Sequence, residues 1–329
     1  MSRPGDEAAS GDLGMKEKGP DSSGAAMVND QSIGNEIMEN EFVHSGSFAC
    51  PGCGLTIAFR HVVKTLGKNT VVVTTAGCGS VVAGYFPMTT SKLPFFHCSF
   101  GTVGATAAGL RAGLDMLGKT KTQVLAWAGD GGTFDIGLQS MSGAAERNDD
   151  MVYVCYDNEA YMNTGVQRSS STPLGAWTTT TPFLAPEDRP KKRIAAIVAA
   201  HEIPYMATAS ISYPQDLEQK VRRAKSIKGF RFIHILIPCP TGWLYPTKDS
   251  VKLGRLAVLS RLFPLYEVFG GRQCRLSPMA EKVPVHEYIT SQGRFKALSE
   301  QAIQGIQANV DRDWAELQDL AARAKELRS

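Results

Sequence analysis

Residues 70–74 read Thr-Val-Val-Val-Thr, five consecutive β-branched side chains with no polar alternation. Such a run is stiff at χ1 and suits a strand buried on both faces, as in a parallel sheet covered by helices on each side. It runs into Thr75-Ala76-Gly77-Cys78-Gly79-Ser80, a glycine-rich loop. The arrangement recurs. Gln123–Ala128 ends in Gly129-Asp130-Gly131-Gly132, Met151–Tyr156 ends in Asp157-Asn158, and Phe232–Ile237 ends in Pro238-Cys239-Pro240. Helical patterns over 55–66, 101–117, 134–146, 193–200 and 215–226 alternate with these strands. The alternation predicts a doubly wound α/β fold with a mostly parallel sheet. Ligands of such sheets bind beyond the carboxyl ends of the strands, so four chemistry-bearing loops in that position predict one composite site.

The two ends of the chain differ from this body. Residues 1–32 hold three Lys/Arg and six Asp/Glu among Gly and Ser, a net charge of −3 that leaves +6 for the remainder of the +3 chain. Such a segment buries too little apolar surface to offset its ordering entropy, so residues 1–40 are expected to be a disordered tail. Residues 41–240 are expected to form the α/β domain. Residues 241–329 are expected to be an arm and an amphipathic helix over 295–327, packed on another subunit or on the chain's own core. Apolar residues at 43% exclude a wholly disordered chain, and no apolar run approaches the about 20 residues of a membrane helix. The charge is too small to suggest nucleic acid.

Seven cysteines, an odd number with no export signal, point to a reducing compartment, the cytoplasm, rather than a disulfide framework. Cys50 and Cys53 form a CxxC turn, while Cys78 and Cys239 sit on two of the strand-end loops. Four thiolates facing one crevice suit structural zinc or a 4Fe–4S cluster, and an isolated CxxC also suits dithiol redox chemistry. Cys98 and Cys155 are read as small apolar residues.

The Gly129-Asp130-Gly131 turn, followed by Asn158 on the next strand end, has the logic of a magnesium–diphosphate site. Glycines admit a diphosphate close to the backbone, and a helix N-terminus favours its charge. Asp130, the Asn158 amide and the Ala160 carbonyl offer the hard oxygens that Mg²⁺ requires. Thiamine diphosphate enzymes use a pattern of this kind.

Taken together, Cys50-Pro51-Gly52-Cys53-Gly54, Ala76-Gly77-Cys78-Gly79, Gly129-Asp130-Gly131-Gly132, Asp157-Asn158-Glu159-Ala160-Tyr161-Met162-Asn163-Thr164-Gly165, Gln167-Arg168-Ser169, Gly175-Ala176-Trp177-Thr178-Thr179-Thr180-Thr181-Pro182 and Pro238-Cys239-Pro240-Thr241-Gly242-Trp243 make the chain resemble the β subunits of 2-oxoacid:ferredoxin oxidoreductases, most closely the pyruvate branch. The resemblance runs from about residue 40 to residue 295. It implies a thiamine diphosphate-binding fold and a 4Fe–4S cluster on Cys50, Cys53, Cys78 and Cys239. It also implies Mg²⁺ on Asp130, Asn158 and Ala160, and Asn163 as the catalytic residue beside the reactive carbon. Gly77, Cys78, Gly79, His97, Ser99, Gly129, Asp130, Gly131, Gly132, Asn158, Asn163 and Thr164 would surround the cofactor. The implied reaction converts a 2-oxoacid and CoA into acyl-CoA, CO₂ and reduced ferredoxin, or the reverse. The implied partners are an α subunit, ferredoxin-like γ and δ subunits or domains, and ferredoxin. Pyruvate is the expected substrate, with a branched-chain 2-oxoacid, oxalate or an aryl glyoxylate as the other candidates; a non-catalytic metal-binding interaction subunit and a cluster-free thiamine enzyme are the alternatives of other classes.

Overall fold

The computed structural model describes residues 41–278 and 281–326, so the expected tail over residues 1–40 lies outside the described residues. Eight strands form one sheet in the order β2-β1-β3-β4-β6-β5-β7-β8. They are β1 (Thr70–Thr75), β2 (Phe95–Cys98), β3 (Gln123–Gly129), β4 (Met151–Asp157), β5 (Tyr205–Ser210), β6 (Phe230–Leu236), β7 (Tyr266–Phe269) and β8 (Gln273–Leu276). The first six run parallel, and an antiparallel β7–β8 hairpin extends the sheet from β5.

The strands at the centre are buried along their whole length, as the unalternating apolar runs require: β4 and β6 have no exposed residue. Successive side chains therefore feed two cores. On one face Val72, Trp127, Val154, Tyr156 and Ile233 pack against α1 (Leu55–Leu66) and α6 (Pro214–Ser226). Leu55, Phe59, Val62 and Leu66 of α1 face that core at helical spacing, and each such burial contributes about 1.5–3 kcal/mol. Gly67, at φ +88, ends the helix. On the other face Val73, Ala126, Tyr153 and Phe232 pack against α3 (Val103–Met116), α4 (Leu138–Glu146) and α5 (Ile194–Ala199). Gly104 lets α3 approach α4 closely, because a Cβ there would lie 2.4 Å from the Ser140 carbonyl oxygen. Two further short helices, α2 (Cys78–Ala83) and α7 (Pro240–Trp243), begin in the loops after β1 and β6.

The C-terminal segment covers this chain's own core. Residues of α8 (Ser250–Leu259), α9 (Val285–Thr290) and α10 (Glu300–Glu326) bury Leu253, Val258, Ile289, Ile303 and Val310 together with Trp243 in a third cluster. Ala321 of α10 joins the second core beside Cys274 of β8. Among the described residues no helix is long and apolar enough to cross a membrane.

The strand order places the ligand crevice. The chain leaves β1 toward the β2 edge and then returns past β1 to β3. The loops after β1 and β3 therefore diverge, and the space between them is the topological switch point.

Candidate active site at the strand ends

A cleft with about 590 Å³ of empty space opens at that point. It is lined by Ala76–Cys78, Gly129–Gly132 and Asn158 with Ala160–Thr164, plus Phe100 and Tyr156. Of the expected site residues, Gly77, Cys78, Gly129, Asp130, Gly131, Gly132, Asn158, Ala160, Asn163 and Thr164 thus come together. His97 and Ser99 do not line it. His97 is exposed on the edge strand β2 with its ring 5.2 Å from that of Phe95, and the Ser99 carbonyl accepts from Thr102 Oγ1 at 2.8 Å. Gly79 lies behind the lining, where its N–H donates to the buried Tyr156 Oη at 2.9 Å.

Two tyrosines account for several of the glycines. A Cβ on Gly131 would fall 2.3 Å from Cε1 of Tyr161, and one on Gly79 would fall 2.8 Å from Tyr156 Oη. These glycines admit aromatic rings, a role that sequence spacing did not separate from room for a diphosphate. The chain turns helical at Asp130 (φ −59, ψ −48), passes through a wide π-helical turn over Gly131–Asp135, and only then enters α4. The first N–H groups of that turn have no intrahelical acceptor.

Asp130 is 2% exposed, and its Oδ2 accepts from Ser169 Oγ at 2.5 Å. Burial and the neighbouring Asp157 push its carboxyl well above the usual carboxylate range. A positive charge at its free oxygen would reverse that penalty. On its free side one end of the Asn158 amide lies 3.0 Å from Asp130 Oδ1 and 2.9 Å from the Ala160 carbonyl oxygen; its nitrogen there donates to both, and half a turn of the amide presents its oxygen instead. Adjacent ligands of an octahedral Mg²⁺, bound at about 2.0–2.1 Å, stand about 2.9 Å apart. With the Asn158 oxygen turned to the cleft, its spacings to Asp130 and to Ala160 match that ion, and all three donors are oxygens.

A charged network supports this loop from behind. Asp157 is fully buried and meets Lys191 Nζ at 2.6 Å, His234 Nε2 at 2.7 Å and Ser171 Oγ at 2.7 Å. Burial alone would raise its carboxyl, but Lys191 and His234 outweigh it and hold it well below the usual range. Glu159 adopts a left-handed φ of +67. Its carboxylate is clamped by Lys191 at 2.8 Å and Arg294 at 2.7 Å, contacts that hold an unfavourable backbone in place.

The four expected cysteine ligands lie on the other side of Asn158. Asn158 Nδ2 donates to Cys78 Sγ at 3.7 Å, and Gly242 N donates to Cys239 Sγ at 3.5 Å. The CxxC turn docks on the loop beyond Cys239, where Ser250 Oγ donates to the Gly52 carbonyl at 2.6 Å. Burial pushes the Cys53 thiol up to about 11 and the Cys78 thiol up to about 12, with a further rise from Cys239. Cys50 and Cys239 lie within electrostatic reach of each other and of Cys53. Among the described residues no three His, Cys, Asp or Glu side chains stand close enough to ligate one ion. All seven cysteines are free; Cys155 is fully buried, and Cys98 Sγ donates to the Thr74 carbonyl at 3.2 Å.

Residues 75–235 match the thiamine pyrophosphate enzyme C-terminal TPP binding domain family. The chain is 47% identical over 294 residues to the ketoisovalerate oxidoreductase subunit VorB of Pyrococcus horikoshii, covering 86% of this chain and 94% of that one. It is 48% identical over 279 residues to the pyruvate synthase subunit PorB of Methanothermobacter marburgensis, covering 84% and 97%. The chain belongs to the β subunits of the 2-oxoacid:ferredoxin oxidoreductases.

The fold agrees with that membership. A solved 2-oxoglutarate:ferredoxin oxidoreductase from Magnetococcus marinus superposes with a TM-score of 0.52 at 21% identity, covering 65% of this chain and 79% of that one. Sequence reasoning about this β subunit missed Ser169, Lys191, Trp243 and Arg294 as supports of the site. Ser169 and Trp243 stand inside segments that carried the family resemblance. Lys191 and Arg294 had no local signal, because only folding brings them to Glu159.

Proposed function

We propose that this β subunit binds thiamine diphosphate through Mg²⁺ held by Asp130, Asn158 and the Ala160 carbonyl, and a 4Fe–4S cluster held by Cys50, Cys53, Cys78 and Cys239. With its partner subunits it would carry out the oxidative decarboxylation of pyruvate with CoA, or the reverse. The observation that carries this reading is the Asn158 amide, with one end 3.0 Å from Asp130 Oδ1 and 2.9 Å from the Ala160 carbonyl oxygen and the other beside Cys78, whose neighbours include two more of the cysteine set.

Bound thiamine diphosphate supplies the electron sink for loss of CO₂, and a cluster takes up electrons one at a time. This chain's residues would orient those groups. Ser169 would fix the Asp130 carboxylate toward the cation, and Tyr161 and Phe100 would shield the cleft. Asn163 would donate a hydrogen bond to substrate. Among the described residues no three of these thiols group around one ion, which favours a cluster over zinc, because tetrahedral zinc at about 2.3 Å needs sulfurs about 3.8 Å apart.

Among the described residues Asp130 is the one charged residue lining the cleft, and none of them offers a cation there for a 2-oxoacid carboxylate. That supports an active site completed by an α subunit. The +6 body suits an acidic ferredoxin, and free cysteines suit the cytoplasm.

The test is anaerobic purification of the assembled enzyme, with iron, sulfide and thiamine diphosphate analysis and assay across 2-oxoacids. A cluster lost in Cys53→Ser, one thiamine diphosphate per β subunit and preference for pyruvate are expected. Preference for a branched-chain 2-oxoacid would support the second reading, which the VorB relative favours. Zinc without iron would overturn both.

A further inference from the structure

We infer that the Asn158 carboxamide couples the cation site to the cluster ligand Cys78, so that occupation of either site prepares the other. The inference rests on the cofactor assignments proposed above and concerns what this one side chain does between them.

Asn158 is 6% exposed and pinned at its backbone, where its carbonyl accepts from Trp243 Nε1 at 2.8 Å. Its amide has one accepting end and one donating end, and half a turn about the terminal torsion exchanges them within the same volume. One end lies 3.0 Å from Asp130 Oδ1 and 2.9 Å from the Ala160 carbonyl oxygen, where a nitrogen donates to both. The other end lies 3.7 Å from Cys78 Sγ, to which a nitrogen there donates.

Two occupancy states demand opposite orientations. A cation among Asp130, Ala160 and Asn158 needs the amide oxygen, since an N–H group cannot ligate it. A metal-bound Cys78 sulfur carries no proton, so it can only accept, and it needs the amide nitrogen. Both demands are met by the same orientation, with the oxygen toward Asp130 and Ala160 and the nitrogen toward Cys78. With neither site filled, the reverse orientation is the better one. The amide would then donate to Asp130 and Ala160, while a Cys78 thiol donates to the amide oxygen. The orientation is thus shared by two sites, and by linkage each strengthens the other to the same degree. An N–H donor on a cluster sulfur also stabilises the reduced, more negative cluster.

The test uses the assembled enzyme, purified anaerobically with nitrogen-15 asparagine side chains, reduced with dithionite and studied by pulsed EPR. Spectra and midpoint potentials are recorded with Mg²⁺ and after chelation with EDTA. The expected result is a nitrogen-15 coupling to the reduced cluster of this chain that disappears on chelation and in Asn158→Asp, with a lower midpoint potential in both cases. In Asn158→Asp the potential should respond less to Mg²⁺ than in the natural enzyme, because direct charge effects remain while the amide contribution is gone. An intact cluster signal whose coupling and potential ignore chelation would overturn the inference. A spectrum unchanged by Cys53→Ser would instead show that this chain holds no cluster, which removes the proposed function and the coupling together. If Asn158→Asp does not assemble, chelation of the natural enzyme gives the same decision.

Discussion

Trp243 Nε1 donates a 2.8 Å hydrogen bond to the backbone carbonyl of Asn158, joining the loop that carries Cys239 to the loop that faces the cleft. Trp243 is fully buried, and the Arg294 guanidinium lies 3.9 Å from the centre of its ring. Trp243→Phe keeps most of the packing and orphans that carbonyl. The expected loss is about 1–3 kcal/mol of stability, read from the denaturant midpoint. An unchanged midpoint would mean that the two loops hold their positions independently.

Ser169 orients Asp130 without itself lining the cleft. Groups that orient a metal ligand are worth about 10–100-fold in affinity. Ser169→Ala should weaken Mg²⁺ binding in the presence of thiamine diphosphate by that factor, measured by calorimetric titration of the assembled enzyme. Equal affinities in the two proteins would show that Asp130 needs no such support.

Lys191 neutralises Asp157 and Glu159 at once. Lys191→Met leaves both carboxylates buried without that partner, and breaking a buried pair in this way costs about 3–5 kcal/mol. The thermal midpoint of the chain should fall accordingly. A loss below that of a surface ion pair would refute the network's role in stability.

The same network fixes a pH dependence. Burial, opposed by Asp157, holds the His234 pKa below its ordinary value. As pH falls past about 6.5 the unfolded chain takes up that proton before the folded chain does, so stability falls. Asp157, depressed in the folded state, adds stability above about pH 3.9 that is lost as pH falls further through its folded value. Denaturant midpoints should therefore decline on acidification in two windows. His234→Gln should flatten the upper one and shrink the lower, which Lys191 then sustains.

Gly79 and Gly109 make a matched pair. A Cβ on Gly79 would meet Tyr156 and Trp127, both buried, within 3.0 Å, whereas one on Gly109 in α3 meets nothing within 4 Å. Gly79→Ala should cost about 1–3 kcal/mol by overpacking. Gly109→Ala should stabilise by about 0.5–1 kcal/mol through helix propensity. Denaturation of this chain alone compares them directly.

Elements with strong local pattern were legible in the sequence. The helix over 55–66 and the strands at Thr70, Gln123 and Met151 match the structure to within a residue. Phe232 lies two residues inside its strand, which begins at Phe230. Strands β2, β5, β7 and β8 were not found. β2, β7 and β8 span only four residues each, and β2 and the β7–β8 hairpin lie at the two margins of the sheet, where no long buried run is needed. β5, Tyr-Met-Ala-Thr-Ala-Ser, is fully buried yet has little β-branched character. The Cys78 loop proved to begin a short helix, because glycines on either side of the cysteine mask helical pattern. The strand-end residues of the site followed from topology, but the supports at Lys191 and Arg294 required the three-dimensional path of the chain.

Among the described residues the cleft is lined by one acidic residue, Asp130, and by no basic one. A diphosphate arriving by itself would meet no positive side chain in a poorly solvated space, where its own charge is costly to bury. With the cofactors proposed above, loading would be ordered: the cation would arrive first or bound to the diphosphate. The apparent affinity for the organic cofactor would then be set by free divalent cation as much as by the cofactor's own concentration.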